Sequence, residues 1–267
     1  MALVGLEPDL LAAVAGECGP DAAWFEADVT DPGSLGDAVD GAVERFGGLD
    51  VCIANAGISG GGLVKLAQYE AIERTIEINL LGAVRTLQTA LPHVVERRGY
   101  LLAVASLAAT VHAPGMAAYA ASKAGIEAFA NSLRTELRHH GVGVGVAYFS
   151  FIDTDMVRGA DERRGYRYLK QKLRGPMSRS LPVSEAAGAI ADGVERRARW
   201  VVVPRRGVAL VASRAIPQLL SERLTARQMP EFERIAQEEL DEIGIERASE
   251  PVGAGGRAAA RARSSAP

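Results

Sequence analysis

Tyr119 and Lys123 stand four residues apart in a stretch running from Ala117 to His139, where that spacing puts both on one face of a helix. A phenol titrates near pH 10, and lowering it by about three units requires roughly 4 kcal/mol. One ammonium about 4 Å away, at an effective dielectric near 20, supplies roughly that much. The pair can therefore build a general acid/base that works near neutral pH. Taken alone it is also a common stacked surface pair, so its neighbours matter. Ser106 closes an apolar run thirteen positions earlier, Asn55-Ala56-Gly57 closes another, and Asn79 sits inside a long helical pattern where asparagine is a mediocre helix former.

The elements that must position these residues are legible as short apolar runs alternating with longer helical patterns, the signature of βαβ units and a parallel sheet. Strands are expected at Ala2–Val4, Ala23–Ala27, Val51–Ala54, Tyr100–Ala105, Val142–Phe149 and Trp200–Val203. Helices are expected at Pro8–Glu17, Pro32–Phe46, Leu66–Glu96, Ala117–His139 and Ser184–Arg197. Asp31-Pro32 supplies an N-cap followed by proline at the first helical position, while Gly47-Gly48 and Gly141 supply stops. His139 and His140 read as solvated residues at a helix C-terminus. Ser106 and Asn55 then both lie at the carboxyl edge of the sheet, where open α/β folds bind ligands.

Serine after one strand, Tyr-x-x-x-Lys in the next helix, Asn-Ala-Gly after an earlier strand and asparagine in the helix between together resemble the short-chain dehydrogenase/reductase family over Ala2 to about Val203. The resemblance implies a Rossmann-like, doubly wound parallel sheet and a nicotinamide cofactor. It implies that Tyr119 is the catalytic acid/base, that Ser106 hydrogen-bonds the substrate oxygen, and that Lys123 lowers the tyrosine pKa and holds the nicotinamide ribose. Asn79 would anchor a water relaying protons to Lys123. Asp28 and Val29 would flank the adenine ring, and Asn55, Ala56 and Gly57 would line the cofactor beside the central strand. In Phe149-Ser150-Phe151-Ile152-Asp153-Thr154, Ile152 and Thr154 match the family segment that meets the nicotinamide carboxamide, whereas Phe149 and Ser150 replace its proline and glycine. Asp28 as a plain turn cap is the competing local reading.

The family's first strand, its Thr-Gly-x-x-x-Gly-x-Gly turn and its first helix have no counterpart among these 267 residues. Such a turn brings backbone against a pyrophosphate at a helix N-terminus. The expectation is an N-terminally truncated chain whose start is assigned too far downstream, with roughly thirty residues absent. Because that strand lies between the family's second and fourth, its loss should leave two unpaired edges facing each other. Gly5-Leu6-Glu7 offers no base to accommodate a 2′-phosphate, which leans the cofactor choice between NAD and NADP towards NAD.

From Arg158 to Arg179 eight Lys or Arg stand against Asp161 and Glu162, in the segment (about 155–182) that the resemblance makes a substrate lid. A basic lid favours an acidic or carrier-linked substrate; a solvated loop is the plainer reading. Tyr166, Tyr168, Leu169, Leu173 and Met177 would form its apolar underside, and His112 would border the pocket. Phe232, Ile235, Ala236, Leu240 and Ile243 fit an amphipathic helix at about 229–243, and 246–267 reads as a disordered Ala/Gly/Arg-rich tail, leaving 1–245 as a single domain.

A net charge of −3 argues against a nucleic-acid protein, and no apolar run reaches the roughly 20 residues of a membrane span. Cys18 and Cys52 have no metal-ligand spacing and suggest a reducing cytoplasm. The substrate would be a small-molecule secondary alcohol or ketone, hydrophobic or of moderate size, and the resemblance implies a homodimer or homotetramer built on the two long helices. The rival from another class is a non-catalytic remnant, unable to bind cofactor and acting at most as an interaction partner; intact Asn79, Ser106, Tyr119 and Lys123 argue against it. An epimerase or dehydratase sharing Tyr-x-x-x-Lys is disfavoured by the short chain.

Overall fold

The computed structural model describes residues 1–60, 62–172, 179–213, 228–252 and 258. Strands β1 (Ala2–Gly5), β2 (Ala23–Glu26), β3 (Val51–Ala54), β4 (Tyr100–Val104), β5 (Gly143–Phe149) and β6 (Trp200–Val203) fall within a residue of the expected runs. Every pairing is parallel, and the helices between the strands are the crossovers. These are α1 (Pro8–Cys18), α2 (Pro32–Phe46), α3 (Tyr69–Ile76), α4 (Ala83–Glu96), α5 (Ala117–Leu137), α6 (Asp155–Glu162), α7 (Arg164–Lys172) and α8 (Val183–Glu195). The predicted caps form: Asp31 accepts from the Gly33 N–H at the start of α2, and Gly47 and Gly141 end their helices at φ 75° each.

Strand β4 shows why the sheet must be covered on both faces. Leu101 and Ala103 join Leu87 of α4 and Ile126 and Ala130 of α5 in one apolar cluster. Tyr100, Leu102 and Val104 point the other way, towards Ile190 and Val194 of α8. The pleat sends successive side chains to opposite faces, so a run apolar throughout is stable only between two helical layers. Each such Leu or Ile contributes about 1.5–3 kcal/mol on burial.

The hydrogen-bonded strands form two sheets, β1-β2 and β3-β4-β5-β6. Strand β1 pairs with β2 alone and β3 with β4 alone, so each leaves one edge unpaired among the described residues. The division falls where the resemblance places a further strand. Its consequence is visible in exposure: Val4 is 43% and Ile53 37% exposed, whereas Leu101 and Leu102 in the paired interior are fully buried.

Two expectations are corrected. Leu66–Glu96 is not one helix: residues 66–68 are non-helical, and α3 passes into a π-helical segment, Glu77–Gly82, before α4. That segment carries Asn79, and widened turns of this kind are commonly found at functional sites. Nor does disorder begin at residue 246. After α9 (Val208–Ala212) and α10 (Met229–Ile243), a short helix α11 (Ile245–Ser249) follows, Pro251 is buried, and the Val252 N–H donates to the Ser59 carbonyl. Residues 253–257 and 259–267 of the expected tail lie outside the described residues, as do Leu173 and Met177.

Candidate active site

Ser106 leaves the carboxyl end of β4 in an extended conformation and caps a 3₁₀ turn, Leu107–Ala109, accepting from the Ala108 N–H at 3.1 Å. Its own proton goes to the Phe149 carbonyl at the end of β5, 3.2 Å away. The hydroxyl also lies close enough to the phenol of Tyr119 to pull its pKa down.

Lys123 lies one turn further along α5, 4% exposed. Its ammonium donates to the Val104 carbonyl at 2.9 Å and stands 5.8 Å from the centre of the Tyr119 ring. Burial pushes its pKa down to about 8. Burial also raises the Tyr119 phenol above its ordinary value, while the bond to Ser106 pulls it down. In the protein alone desolvation is the larger influence on the phenol, and the Lys123 ammonium is bonded to the strand carbonyl.

Asn79, fully buried, is a clamp. Its Oδ1 accepts from the Ile58 N–H at 2.7 Å, and its Nδ2 donates to the Ile58 carbonyl at 2.9 Å and to Ser122 Oγ at 3.2 Å. Ser122, overlooked in the sequence, donates in turn to the Tyr119 carbonyl at 2.8 Å. Its signal was a serine inside a helix interior, where a hydroxyl commonly bonds the preceding turn. The clamp brings the loop after β3 onto α5. A Cβ built on Gly57 would lie 3.2 Å from Asn79 Oδ1 and 3.3 Å from Lys123 Nζ, so only glycine leaves that space open. Asn79, Ser106, Tyr119, Lys123 and Gly57 thus form one constellation at the carboxyl edge.

The remaining residues are placed more loosely. Asn55 and Ala56 are exposed at the open edge of β3. Asp28 Oδ1 accepts from the Thr30 N–H and hydroxyl, both at 2.8 Å, so one oxygen is held by its own turn. Val29 packs on Gly82, where an added Cβ would meet its side chain at 2.6 Å. Ile152 is buried and bridges to Leu181, and Thr154 caps α6 through the Val157 N–H. His112 is exposed. In the lid three of the positive charges meet carboxylates among the described residues: Lys170 pairs with Asp161 at 2.7 Å, Arg164 with Glu242 at 2.6 Å, and Arg158 with Asp153 and Asp155 at 2.8 and 2.7 Å.

The nicotinamide-riboside end of a dinucleotide fits this donor set. Lys123 has two further N–H donors beyond the one given to Val104, and the Gly57 space adjoins them. For the pyrophosphate, these 267 residues offer no glycine-rich turn.

A parallel sheet carrying serine, tyrosine and lysine in this arrangement defines the class, and comparison agrees. The family model described as short chain dehydrogenase matches residues 1–165, and the chain belongs to that family, whose members are generally NAD(P)-dependent oxidoreductases. It is 39% identical over 132 residues to an uncharacterized oxidoreductase of Myxococcus xanthus (strain DK1622), covering 49% of this chain and 52% of that one. In fold it resembles a short-chain dehydrogenase/reductase of Burkholderia phymatum in complex with NAD, with a TM-score of 0.67, 20% identity, and 80% of this chain and 82% of that one covered. It also resembles an alcohol dehydrogenase of the archaeon Thermococcus sibiricus complexed with 5-hydroxy-NADP, with a TM-score of 0.65, 23% identity, and coverage of 75% and 83%. The chain spans just over half the length, 52–58%, of the first three curated relatives it matches. No helix among the described residues is long and apolar enough to cross a membrane.

Proposed function

We propose that this chain catalyses reversible hydride transfer between NAD(P) and a secondary alcohol or ketone. The observation that carries the reading is the meeting of Ser106, at the end of β4, with Tyr119 and the buried ammonium of Lys123 one helical turn along α5. The cofactor supplies or accepts the hydride. Ser106 holds the substrate oxygen, and Tyr119 gives that oxygen a proton or takes one from it. Lys123 binds the nicotinamide ribose, and its charge compensates the phenolate that forms. Asn79 keeps the loop of Asn55, Ala56 and Gly57 against α5, beside the cofactor. Ile152 and Thr154 meet the carboxamide, and Asp28, through the oxygen Thr30 leaves free, and Val29 flank the adenine. Glu7, at the end of β1 with its side chain uncommitted to helix capping, favours the ribose hydroxyls of NAD over the phosphate of NADP. A homodimer or homotetramer in the cytoplasm is the assembly this reading takes.

Calorimetric titration with NADH and NADPH, followed by turnover on a panel of ketones, tests it. Tyr119→Phe should leave binding in place and lower turnover by about 10²–10⁴-fold, the usual contribution of a positioned acid/base. Equal turnover by the variant would overturn the assignment. Failure of the chain to bind either dinucleotide would favour the non-catalytic interaction partner, the reading that the two unpaired strand edges among the described residues support.

A further inference from the structure

Helix α10 is tied to three separate parts of the chain that surround the catalytic residues. Phe232, 4% exposed, is wedged between two glycines. A Cβ on Gly115, in the loop joining Ser106 to Tyr119, would lie 3.0 Å from its ring, and a Cβ on Gly165, in α7, would lie 2.8 Å from it. Gly115 also has φ +76°, so both its backbone and its neighbour require the missing side chain.

About two and three turns further along α10, carboxylates close the contact. Glu239 accepts from the backbone N–H groups of Arg164 and Gly165 at 3.0 and 3.4 Å. These are the first donors of α7, which have no partner within their own helix, and an anion at a helix N-terminus is favoured by the dipole as well. Glu242 grips the Arg164 guanidinium with both oxygens, at 2.8 and 2.6 Å. Glu233 pairs with Lys65 in the segment after β3, and beyond α10 the Arg247 carbonyl accepts from Arg163 at 2.6 Å.

The element so held carries a second tyrosine. Tyr166 follows Gly165 directly, and its ring stands edge-on to Phe151, centroids 6.2 Å apart. Phe151 adjoins Ile152, so the lid ring rests on the loop that leaves β5. Tyr166 lies within electrostatic reach of Tyr119, and burial raises its phenol well above the ordinary range. Lys170 sits 5.1 Å from the Phe151 ring and 5.9 Å from that of Tyr166, its charge answered by Asp161.

We propose that Phe232 is a positioning residue that seats α7 against the Ser106–Tyr119 loop, so that Tyr166 and Phe151 form an aromatic wall beside Tyr119 suited to a flat, apolar substituent of the substrate. The role of the wall rests on the oxidoreductase reading; the seating of α7 by Phe232 does not. Helix α10 is on this view a wall of the pocket rather than an appendage to the domain. The glycines at 115 and 165 exist to admit the ring, and the Glu239 and Glu242 contacts fix the direction of α7 once it is seated.

The test uses the full chain without cofactor or substrate. Amide hydrogen exchange and tyrosine nitration by tetranitromethane, both read by mass spectrometry, are compared in the wild type, Phe232→Ala, Phe232→Leu and the double variant Glu239→Gln with Glu242→Gln. Phe232→Ala should raise exchange in 110–119 and 164–172 and nitration of Tyr166 at least tenfold. Exchange in β4 and β5 should stay unchanged, and Tyr69, already exposed, should react alike in all proteins. Phe232→Leu should restore most of the protection. The double variant should loosen the same segments less, and it keeps the test decisive if Phe232→Ala fails to fold. Unchanged exchange in those segments in the double variant, or a rise in β4 and β5 parallel to that in α7, would overturn the proposal. Neither readout depends on turnover, so loss of the hydride-transfer assignment through Tyr119→Phe would leave the seating of α7 standing and remove only its meaning for substrate.

Discussion

Replacing Asn79 by alanine separates the architecture of the site from its chemistry. The side chain is fully buried and joins the Ile58 N–H and carbonyl at 2.7 and 2.9 Å, with a third bond to Ser122 at 3.2 Å. Ile58 is itself 3% exposed, so water cannot readily replace the lost partners. Leaving one buried polar group unsatisfied costs about 1–3 kcal/mol. With two such backbone groups stranded, the loss is about 2–6 kcal/mol, the Ser122 bond adding little because that hydroxyl keeps the Tyr119 carbonyl. At about 2–4 °C per kcal/mol for a chain of this size, the melting temperature should fall by roughly 4–24 °C. Urea unfolding of wild type and Asn79→Ala, followed by circular dichroism, gives the midpoints and slopes directly. Asn79→Asp keeps the acceptor for the Ile58 N–H but loses the donor and buries an unpaired charge, so it should be no better than alanine. A loss below about 1 kcal/mol with an unchanged slope would refute the clamp and, with it, the account of how the loop after β3 reaches Lys123.

Further outcomes follow from burial. Lys123 titrates near 8 in the folded chain against 10.5 when free, so the unfolded chain binds more protons between those values. Its contribution to stability should therefore be unfavourable below pH 8 and improve as pH rises towards 10.5; in urea midpoints taken against pH, Lys123→Met should lack that rise, and identical profiles for the two proteins would contradict it. Cys52, buried in β3 and with its thiol pushed up to about 12, should resist Ellman's reagent, whereas exposed Cys18 reacts at once. The expected count is one thiol in the native protein and two in denaturant. Gly145→Ala would drive a Cβ to 2.0 Å from the Tyr100 hydroxyl and 2.4 Å from the Ala198 carbonyl, breaking the 2.7 Å bond between them. Overpacking of that kind costs about 1–3 kcal/mol or more; a urea midpoint equal to wild type would show that strands β4, β5 and β6 are less closely fitted than described.

The chain's linear order was enough to place the strands, most of the crossover helices and the family motif, because these depend on local rules; α6 and α7 were not among them. Apolar runs of strand length, a proline after an aspartate and glycines at helix ends act within a few residues of themselves. The spacing of Tyr119 and Lys123 is set by one helical turn and needs no partner. Tertiary structure decided what depends on distant groups meeting. Whether Lys123 faces the phenol or the Val104 carbonyl, and which way Tyr119 titrates, are matters of burial that no spacing encodes. The π turn at Glu77–Gly82 carries Asn79 to a partner, Ile58, that lies 21 residues away in the chain. The helix at 229–243 could be drawn from periodicity, but its seat could not: Phe232 finds Gly115 and Gly165 only in space. Spacing within one element is written in the chain, whereas desolvation and packing are properties of what folds around it.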